Sequence, residues 1–385
     1  MQTFVRSRYT WLIYIFLAYY GYFLNVYGPI TPYLKEELSI SYTVSSLHFS
    51  AFAAGILAVG LGGYLIIERI GRWRALWAGA FGVGLSVAVL LLGKTPVITI
   101  GASFVMGFVG SLILAVVPSA LSDEHGEYRS VALSEANLLA SILVSTAPLL
   151  VGWFVGWIGD WRPALALPAL LVIPLYLLLG KVEPIQSRGP EKGRVETSGA
   201  LPPQYWIYWV VIMLSVSVEF CMIFWSADYI EIALGLPRND AVQAVSLFLV
   251  AMIAGRWAGS RLVVRIPARW LVGVSIIIAA AGFLMYWQPL NVYLGLAGLF
   301  IAGLGVASLY PLTLSLAIAS AGEKTVQAGA RATMASGVAI LALPLLLGRL
   351  ADAIGIQLAY GIVAVLLVTA FGMLQLTRRF KELPA

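Results

Sequence analysis

Twelve apolar runs of membrane-spanning length follow one another along the chain, at residues 9–34, 45–67, 75–92, 95–121, 131–158, 162–180, 204–231, 240–264, 270–287, 290–320, 328–350 and 355–377. A helix needs about 20 residues to cross the hydrocarbon core, so these runs leave room only for short loops, one modest linker and two short tails. At that depth no water satisfies backbone groups, and only helices or a closed barrel are viable. Barrel strands alternate apolar and polar residues, whereas Leu76 to Leu92 and Ile354 to Leu374 are apolar on every side. Helices are therefore expected throughout. A chain that is 61% hydrophobic and 11% charged is an integral membrane protein, because soluble globular domains carry about 25% charged residues.

The charges that remain are placed unevenly. Of 24 Lys and Arg, 17 fall in the tails and even-numbered loops, four (Lys35, Lys94, Arg162 and Arg238) in the odd-numbered loops, and three inside spans. Basic residues are retained on the cytoplasmic side, so both termini are expected there and the bacterial inner membrane is the expected location. The net charge of +6 is explained by this orientation, and no nucleic acid partner is expected. The long aromatic run after Arg6 and Arg8 lacks a short apolar core with a cleavage site and reads as a retained first helix. The single cysteine, Cys221, lies within a span and can form no disulfide within the chain.

A repeat divides the twelve spans. Ser50, Phe52, Gly63, Arg69 and Ile70 recur 196 positions on as Ser246, Phe248, Gly259, Arg265 and Ile266. Pro148, Leu149, Leu150 and Gly152 recur at the same distance as Pro344, Leu345, Leu346 and Gly348. One register across about a hundred residues implies two homologous bundles, the architecture used for alternating access. The predicted fold is all-α, with two pseudo-symmetric six-helix bundles at 1–180 and 205–385. The Pro-, Gly- and charge-rich stretch 181–204 between them is expected to be a cytoplasmic linker. Prolines inside spans, among them Pro29, Pro118, Pro148, Pro168, Pro174, Pro311 and Pro344, are expected to bend helices.

A charge at mid-bilayer costs about 2.5–3.5 kcal/mol on insertion scales, so each ionisable residue within a span needs a partner or a role. Glu219, near the centre of span seven, shares one helix face with Ser215, Met222 and Ser226. It reads as a lone carboxyl that carries protons; the alternative is a structural tie to neighbouring helices. Asp228 on the same helix is expected at the outer interface. For solute binding the candidates are Asn25, Asn137, Ser141, His48, Trp225 and Tyr310. Each has a plainer reading: small hydroxyls serve helix packing, Trp and Tyr serve the interfacial belt, and a lone histidine is commonly an interfacial hydrogen-bonder. Glu135 and Arg331, opposite in charge, stand 196 positions apart at equivalent places in spans five and eleven.

The loop after span two, Gly63-Tyr64-Leu65-Ile66-Ile67-Glu68-Arg69-Ile70-Gly71-Arg72-Trp73-Arg74, resembles the G-x-x-x-D-R-x-G-R-R/K motif of the major facilitator superfamily. Glu68 stands for the acid, the glycine is displaced by one, and Trp73 interrupts the basic pair. Gly255 to Arg269 is similar to its second-half copy, and Ala147-Pro148-Leu149-Leu150-Val151-Gly152 resembles the superfamily's G-P-x-x-G-G element. Glu219, Trp225, Tyr229 and Tyr310-Pro311 are loosely similar to residues of sugar-permease relatives such as the fucose permeases.

The resemblance implies that spans five and eight, and spans two and eleven, meet between the bundles. Glu135 would then reach Arg256 or Arg261, and Glu68 would reach Arg331 or the positively polarised start of span eleven, as cytoplasmic latches to which Arg69 and Arg72 of the loop also belong. Fixed pairs within one bundle are the alternative. Drug antiporters of the superfamily typically carry an arginine in span four, where this chain has Met106 ahead of Gly107 and Gly110.

With two histidines, no phosphate-binding Gly-rich loop and no nucleophile–base constellation, the sequence points to no metal, no cofactor and no enzyme. The expected function is secondary active transport of a small organic solute coupled to a proton or another ion, by a monomer in contact with lipid. Two alternatives stand beside it: proton-driven efflux of lipophilic compounds, and a non-transporting sensor on the same fold.

Overall fold

The computed structural model describes residues 5–182, 200–322 and 324–377. Residues 183–199 of the expected linker, and the basic tail with Arg378, Arg379 and Lys381, lie outside the described residues. The chain forms two compact units, Met1–Gly193 and Arg194–Ala385. All regular structure among the described residues is helical.

In the first unit, α1 (Arg8–Asn25) and α2 (Tyr27–Glu37) form the first crossing. Then come α3 (Tyr42–Ile70), α4 (Arg72–Leu92), α5 (Pro96–His125), a 3-10 turn at Gly126–Tyr128 and α6 (Arg129–Ile158). The sixth crossing is α7 (Pro163–Leu170) with α8 (Val172–Leu179). The second unit holds α9 (Pro203–Leu234), α10 (Arg238–Leu262), α11 (Ala268–Trp287), α12 (Val292–Val306) with α13 (Leu309–Ser320), α14 (Thr325–Ile354), and α15 (Ile356–Ala359) with α16 (Ile362–Leu376). Among the described residues, ten of the twelve crossings are long and apolar enough to span a membrane; the exceptions are the short Pro163–Leu179 and the tyrosine-rich first crossing.

The repeat is written into the helix ends. Helix α3 starts at Tyr42 and α10 at Arg238, α4 at Arg72 and α11 at Ala268, α5 at Pro96 and α12 at Val292, each pair 196 positions apart. Helices α6 and α14 match at both ends, Arg129 with Thr325 and Ile158 with Ile354. Packing repeats too: α5 lies against α3 and α4 as α12 lies against α10 and α11, and α1 packs on α6 as α9 packs on α14.

The tightest contact of this kind is between backbones. A Cβ on Gly107 of α5 would press on the Phe52 carbonyl of α3, and one on Gly303 of α12 would lie 2.6 Å from the Phe248 carbonyl of α10. Only glycine permits this approach, which replaces the missing hydrophobic driving force in lipid with van der Waals contact.

Three of the prolines break helices by one mechanism. Proline has no N–H to offer the carbonyl four residues back, so the bonds that Asn25, Leu170 and Ala307 would accept from Pro29, Pro174 and Pro311 do not exist. The ladder resumes one residue later, with the N–H groups of Ile30, Leu175 and Leu312 on Val26, Leu171 and Ser308. These are the breaks between α1 and α2, α7 and α8, and α12 and α13. Pro118, Pro148 and Pro344 lie within continuous helices.

Candidate functional site

Helix α9 is the most buried of the ten long spans and carries Glu219 near its midpoint. Glu219 is not the lone carboxyl that the sequence suggested. Arg256 Nη2 of α10 donates to Glu219 Oε1 at 3.3 Å, with the glutamate side chain 15% exposed and the arginine 44%. The Tyr310 phenol of α13 interacts electrostatically with the same carboxylate. Two helices of one unit thus bring an acid and a base together. Elsewhere along α9 the hydroxyls are consumed by packing: Ser215 Oγ donates to Val211, and Ser226 Oγ shares a hydrogen bond with Tyr360 Oη at 3.0 Å. Asp228, expected at the interface, is buried at 2% exposure.

A second polar cluster sits where α1 begins. Arg6 holds Glu135 of α6 with two bonds, Nε to Oε2 at 2.7 Å and Nη2 to Oε1 at 2.5 Å, and Tyr14 Oη adds a third at 3.2 Å. The bond to Glu135 raises the Arg6 pKa above the ordinary guanidinium value. Ser7 caps α1 through the Thr10 N–H and donates to Glu124 of α5, while Thr10 Oγ1 lies 3.0 Å from His125 Nε2. Arg72 Nη1 bonds Asp123 Oδ2 at 2.5 Å. The ends of α1, α4, α5 and α6 are laced together by charge.

The expected solute-binding residues fare differently. His48, 2% exposed, donates from Nδ1 to the Ser45 carbonyl at 3.1 Å, and its Nε2 lies 2.7 Å from Thr99 Oγ1. Both ring nitrogens are occupied within the unit, where the bond to Thr99 joins α3 to α5. Trp225, 1% exposed, donates Nε1–H to the Pro344 carbonyl at 3.1 Å and belongs to the core for the same reason. Asn25 Nδ2 bonds the Gly21 carbonyl, filling the groove of its own helix beside the α1–α2 break. Asn137 is exposed, Ser141 and Tyr310 half-buried. Asn137 Nδ2 and Ser141 Oγ bond the carbonyls one turn back, at 2.8 Å each.

Residues 11–341 match the family described as the Major Facilitator Superfamily. The chain belongs to that superfamily. It is 24% identical over 366 residues to an uncharacterized MFS-type transporter of Yersinia pestis, covering 91% of this chain and 90% of the relative. A TsgA homolog of Citrobacter koseri is 23% identical over 265 residues, 66% of this chain and 65% of that protein. Among solved structures, a bacterial homolog of the human lysosomal transporter Spinster, inward-facing and unoccupied, has a TM-score of 0.81 at 14% identity, covering 99% of each chain. The nucleoside transporter NupG has a TM-score of 0.77 at 12% identity, covering 97% of this chain and all of the other. FucP in the outward conformation has a TM-score of 0.64 at 15% identity, covering 96% and 98%. At these identities the structures show the shared fold. Family membership makes the protein a multi-pass membrane transporter and not an enzyme.

In this superfamily member the motif loop closes α3 onto α4 through Gly71, with Glu68 and Arg69 exposed on the last turn of α3. Arg72 is engaged by Asp123, a partner the sequence reading did not name. Glu135 is held by Arg6 inside its own unit, the intrabundle alternative to the expected latch with Arg256 or Arg261. Arg256 is turned to Glu219, and Arg261 lies over the Trp257 ring of its own helix at 5.4 Å. Arg331 repeats the placement of Glu135: its guanidinium lies 5.4 Å over Trp206 of α9, and its carbonyl accepts from Trp209 Nε1 at 2.8 Å. Both residues face the first helix of their own unit. Arg6 carries no sequence signal for its role, because a basic residue ahead of a first span reads as an orientation signal.

Proposed function

We propose that this protein is a proton-coupled secondary transporter that moves a small organic solute across the bacterial inner membrane by alternating access, with Glu219 as the proton-carrying group. The observation that carries the reading is the Glu219–Arg256 pair, 3.3 Å apart within the helices of the second unit. Ionisable residues are retained at such depth for a function or a partner. This acid has a partner whose charge it balances only while ionised, so taking up a proton would dissolve the pair and change the packing of α9 against α10.

The uneven distribution of Lys and Arg supports an orientation with both termini cytoplasmic. In that orientation the exposed Glu68 and Arg69 of the motif loop, with Arg261 and Arg331, serve as cytoplasmic gating residues. The protein in proteoliposomes tests the proton assignment. After a thermal-shift screen against sugars, carboxylates, amino acids and cationic drugs has found a solute, Glu219→Gln should abolish uphill accumulation driven by a pH gradient and spare exchange. Unchanged uphill transport in Glu219→Gln would rule the assignment out.

A further inference from the structure

We infer that His125 and Glu124, where α5 ends, form a proton-binding site with Ser7 and Thr10 of α1, and that filling it clasps the start of α1 to the end of α5. The site belongs to the first unit and Glu219 to the second, so it stands apart from the proton assignment proposed above. In the orientation proposed above it faces the cytoplasm.

Four side chains close a ring. Ser7 Oγ accepts from the Thr10 N–H at 3.0 Å and donates its own proton to Glu124 Oε1. Thr10 Oγ1 accepts from the Ser7 N–H at 3.2 Å, and lies 3.0 Å from His125 Nε2 and 3.1 Å from Ser7 Oγ. The Glu124 and His125 side chains are only 5% and 6% exposed. Glu124 Oε2 is buried without a hydrogen-bond partner among the described residues, and His125 Nε2 stands 3.8 Å from it. That separation is too long for a hydrogen bond and short enough for an ion pair. Among the described residues His125 is the one ion-pair partner of Glu124, whereas Arg72 pairs with Asp123 and Arg6 with Glu135.

The ring accommodates two proton arrangements without losing a bond. With a neutral imidazole whose Nε2 is bare, the Thr10 hydroxyl donates to His125. With a charged imidazole, Nε2–H donates to Thr10 Oγ1 and the Thr10 proton turns to Ser7 Oγ. One proton from the medium has then formed one N–H bond, and the new charge faces the carboxylate oxygen that lacks a hydrogen bond. A buried carboxylate is costly to hold without a counter-charge, so the charged imidazole tightens the ring. His125 is also the last residue of α5, where the carbonyls of a helix end favour a cation. Imidazole is the side chain that ordinarily changes charge near neutral pH. The other titratable groups with a hand in the site are Glu135 of α6, which interacts electrostatically with His125, and Tyr9 and Tyr14 of α1, which do so with Glu124. From α4, Arg72 is bonded to Asp123. Asp123 and Gly126, on either side of the pair, are exposed, which leaves protons a short path to it.

Histidine occurs twice in the chain, so the purified full-length protein carrying ring-labelled histidine gives two imidazole signals by nuclear magnetic resonance, and His125→Gln assigns one of them. On acidification from about pH 8 to about pH 5, the interval in which imidazoles ordinarily titrate, the wild-type His125 signal should pass to the imidazolium pattern. In Glu124→Gln the midpoint should move to lower pH, because the counter-charge is gone. Amide hydrogen exchange, corrected for the intrinsic effect of pH, reads the clasp itself. Protection at residues 11–14 should rise several-fold across the same interval in the wild type, and should not rise in His125→Gln or Glu124→Gln. A ring that served only as a fixed cap would protect α1 equally at both ends of the interval. Should His125→Gln not fold, His48→Gln assigns the signal and Glu124→Gln decides. A His125 signal that does not change, a midpoint that stays or rises in Glu124→Gln, or wild-type protection that is equal at both ends would overturn the inference. Glu219→Gln should leave both readouts as they are, whatever it does to uphill transport.

Discussion

Arg6, two residues ahead of the first helix, is bonded through both Nε and Nη2 to Glu135 on α6, 129 positions away. This contact ties the start of α1 to the helix against which α1 packs along its length. Arg6→Gln or Glu135→Gln should loosen that end. Amide hydrogen exchange over Thr10 to Tyr14 should rise in either variant, and the swapped pair Arg6→Glu with Glu135→Arg should return it toward the wild-type rate. Because the pair is partly exposed, high salt should mimic part of the effect. Exchange that is identical in all of these would show that Ser7 and Thr10 hold the helix start unaided.

The backbone approach of α12 to α10 gives a sharper expectation. A methyl group at Gly303 would lie 2.6 Å from the Phe248 carbonyl, and one at Gly107 would meet Phe52 in the same way, both with backbone that cannot rotate aside. Gly107→Ala and Gly303→Ala should each destabilise by about 1–3 kcal/mol, the range for overpacking. At Gly372 of α16 a Cβ would find nothing within 4 Å, so Gly372→Ala should be neutral or gain a few tenths of a kcal/mol from helix propensity. Melting of the three variants in detergent measures this, and equal melting temperatures would mean that the helices separate at little cost.

The architecture was legible because lipid leaves the backbone so few options: each apolar run had to be a helix, and the runs coincide with the observed crossings to within a few residues. The effect of individual prolines was less legible. Pro29, Pro174 and Pro311 sit at breaks whereas Pro118, Pro148 and Pro344 do not, and local sequence does not say which freed carbonyl its neighbours will tolerate.

The site was half visible. Glu219 announced itself as an acid in an apolar wall, but Arg256 was assigned to a gate because it belongs to the repeated motif loop. Two opposite charges in consecutive spans at comparable depth were the available signal. His48 could not be placed from sequence, since its role depends on Thr99, 51 residues away.

The His48–Thr99 bond is a buried tie, and its loss should affect stability more than transport. Thr99→Val keeps the side-chain shape and removes the hydroxyl that faces Nε2 at 2.7 Å. Interhelical hydrogen bonds in membranes are worth about 0.6 kcal/mol on average and up to about 1.7, so a drop of the order of 1–3 °C in melting temperature is expected. The rank order of solutes transported should not change. A variant that melts as the wild type does but has lost transport would return His48 to the solute path.

The Glu219–Arg256 pair should be asymmetric in energy as it is in exposure. Arg256→Gln leaves a carboxylate that is 15% exposed without its counter-charge, whereas Glu219→Gln leaves a guanidinium that is 44% exposed and closer to water. Breaking a pair by removing one partner costs most where the surviving charge is most deeply desolvated. Arg256→Gln should therefore lower the melting temperature more than Glu219→Gln, and the double variant, which leaves two neutral amides, should be more stable than the sum of the single losses allows. The coupling in a double-mutant cycle should fall in the lower part of the range of about 0.5–3 kcal/mol seen for contacting residues, because one partner is substantially exposed. Equal losses in the two single variants, with additive behaviour in the double, would show that the two side chains are adjacent without holding each other.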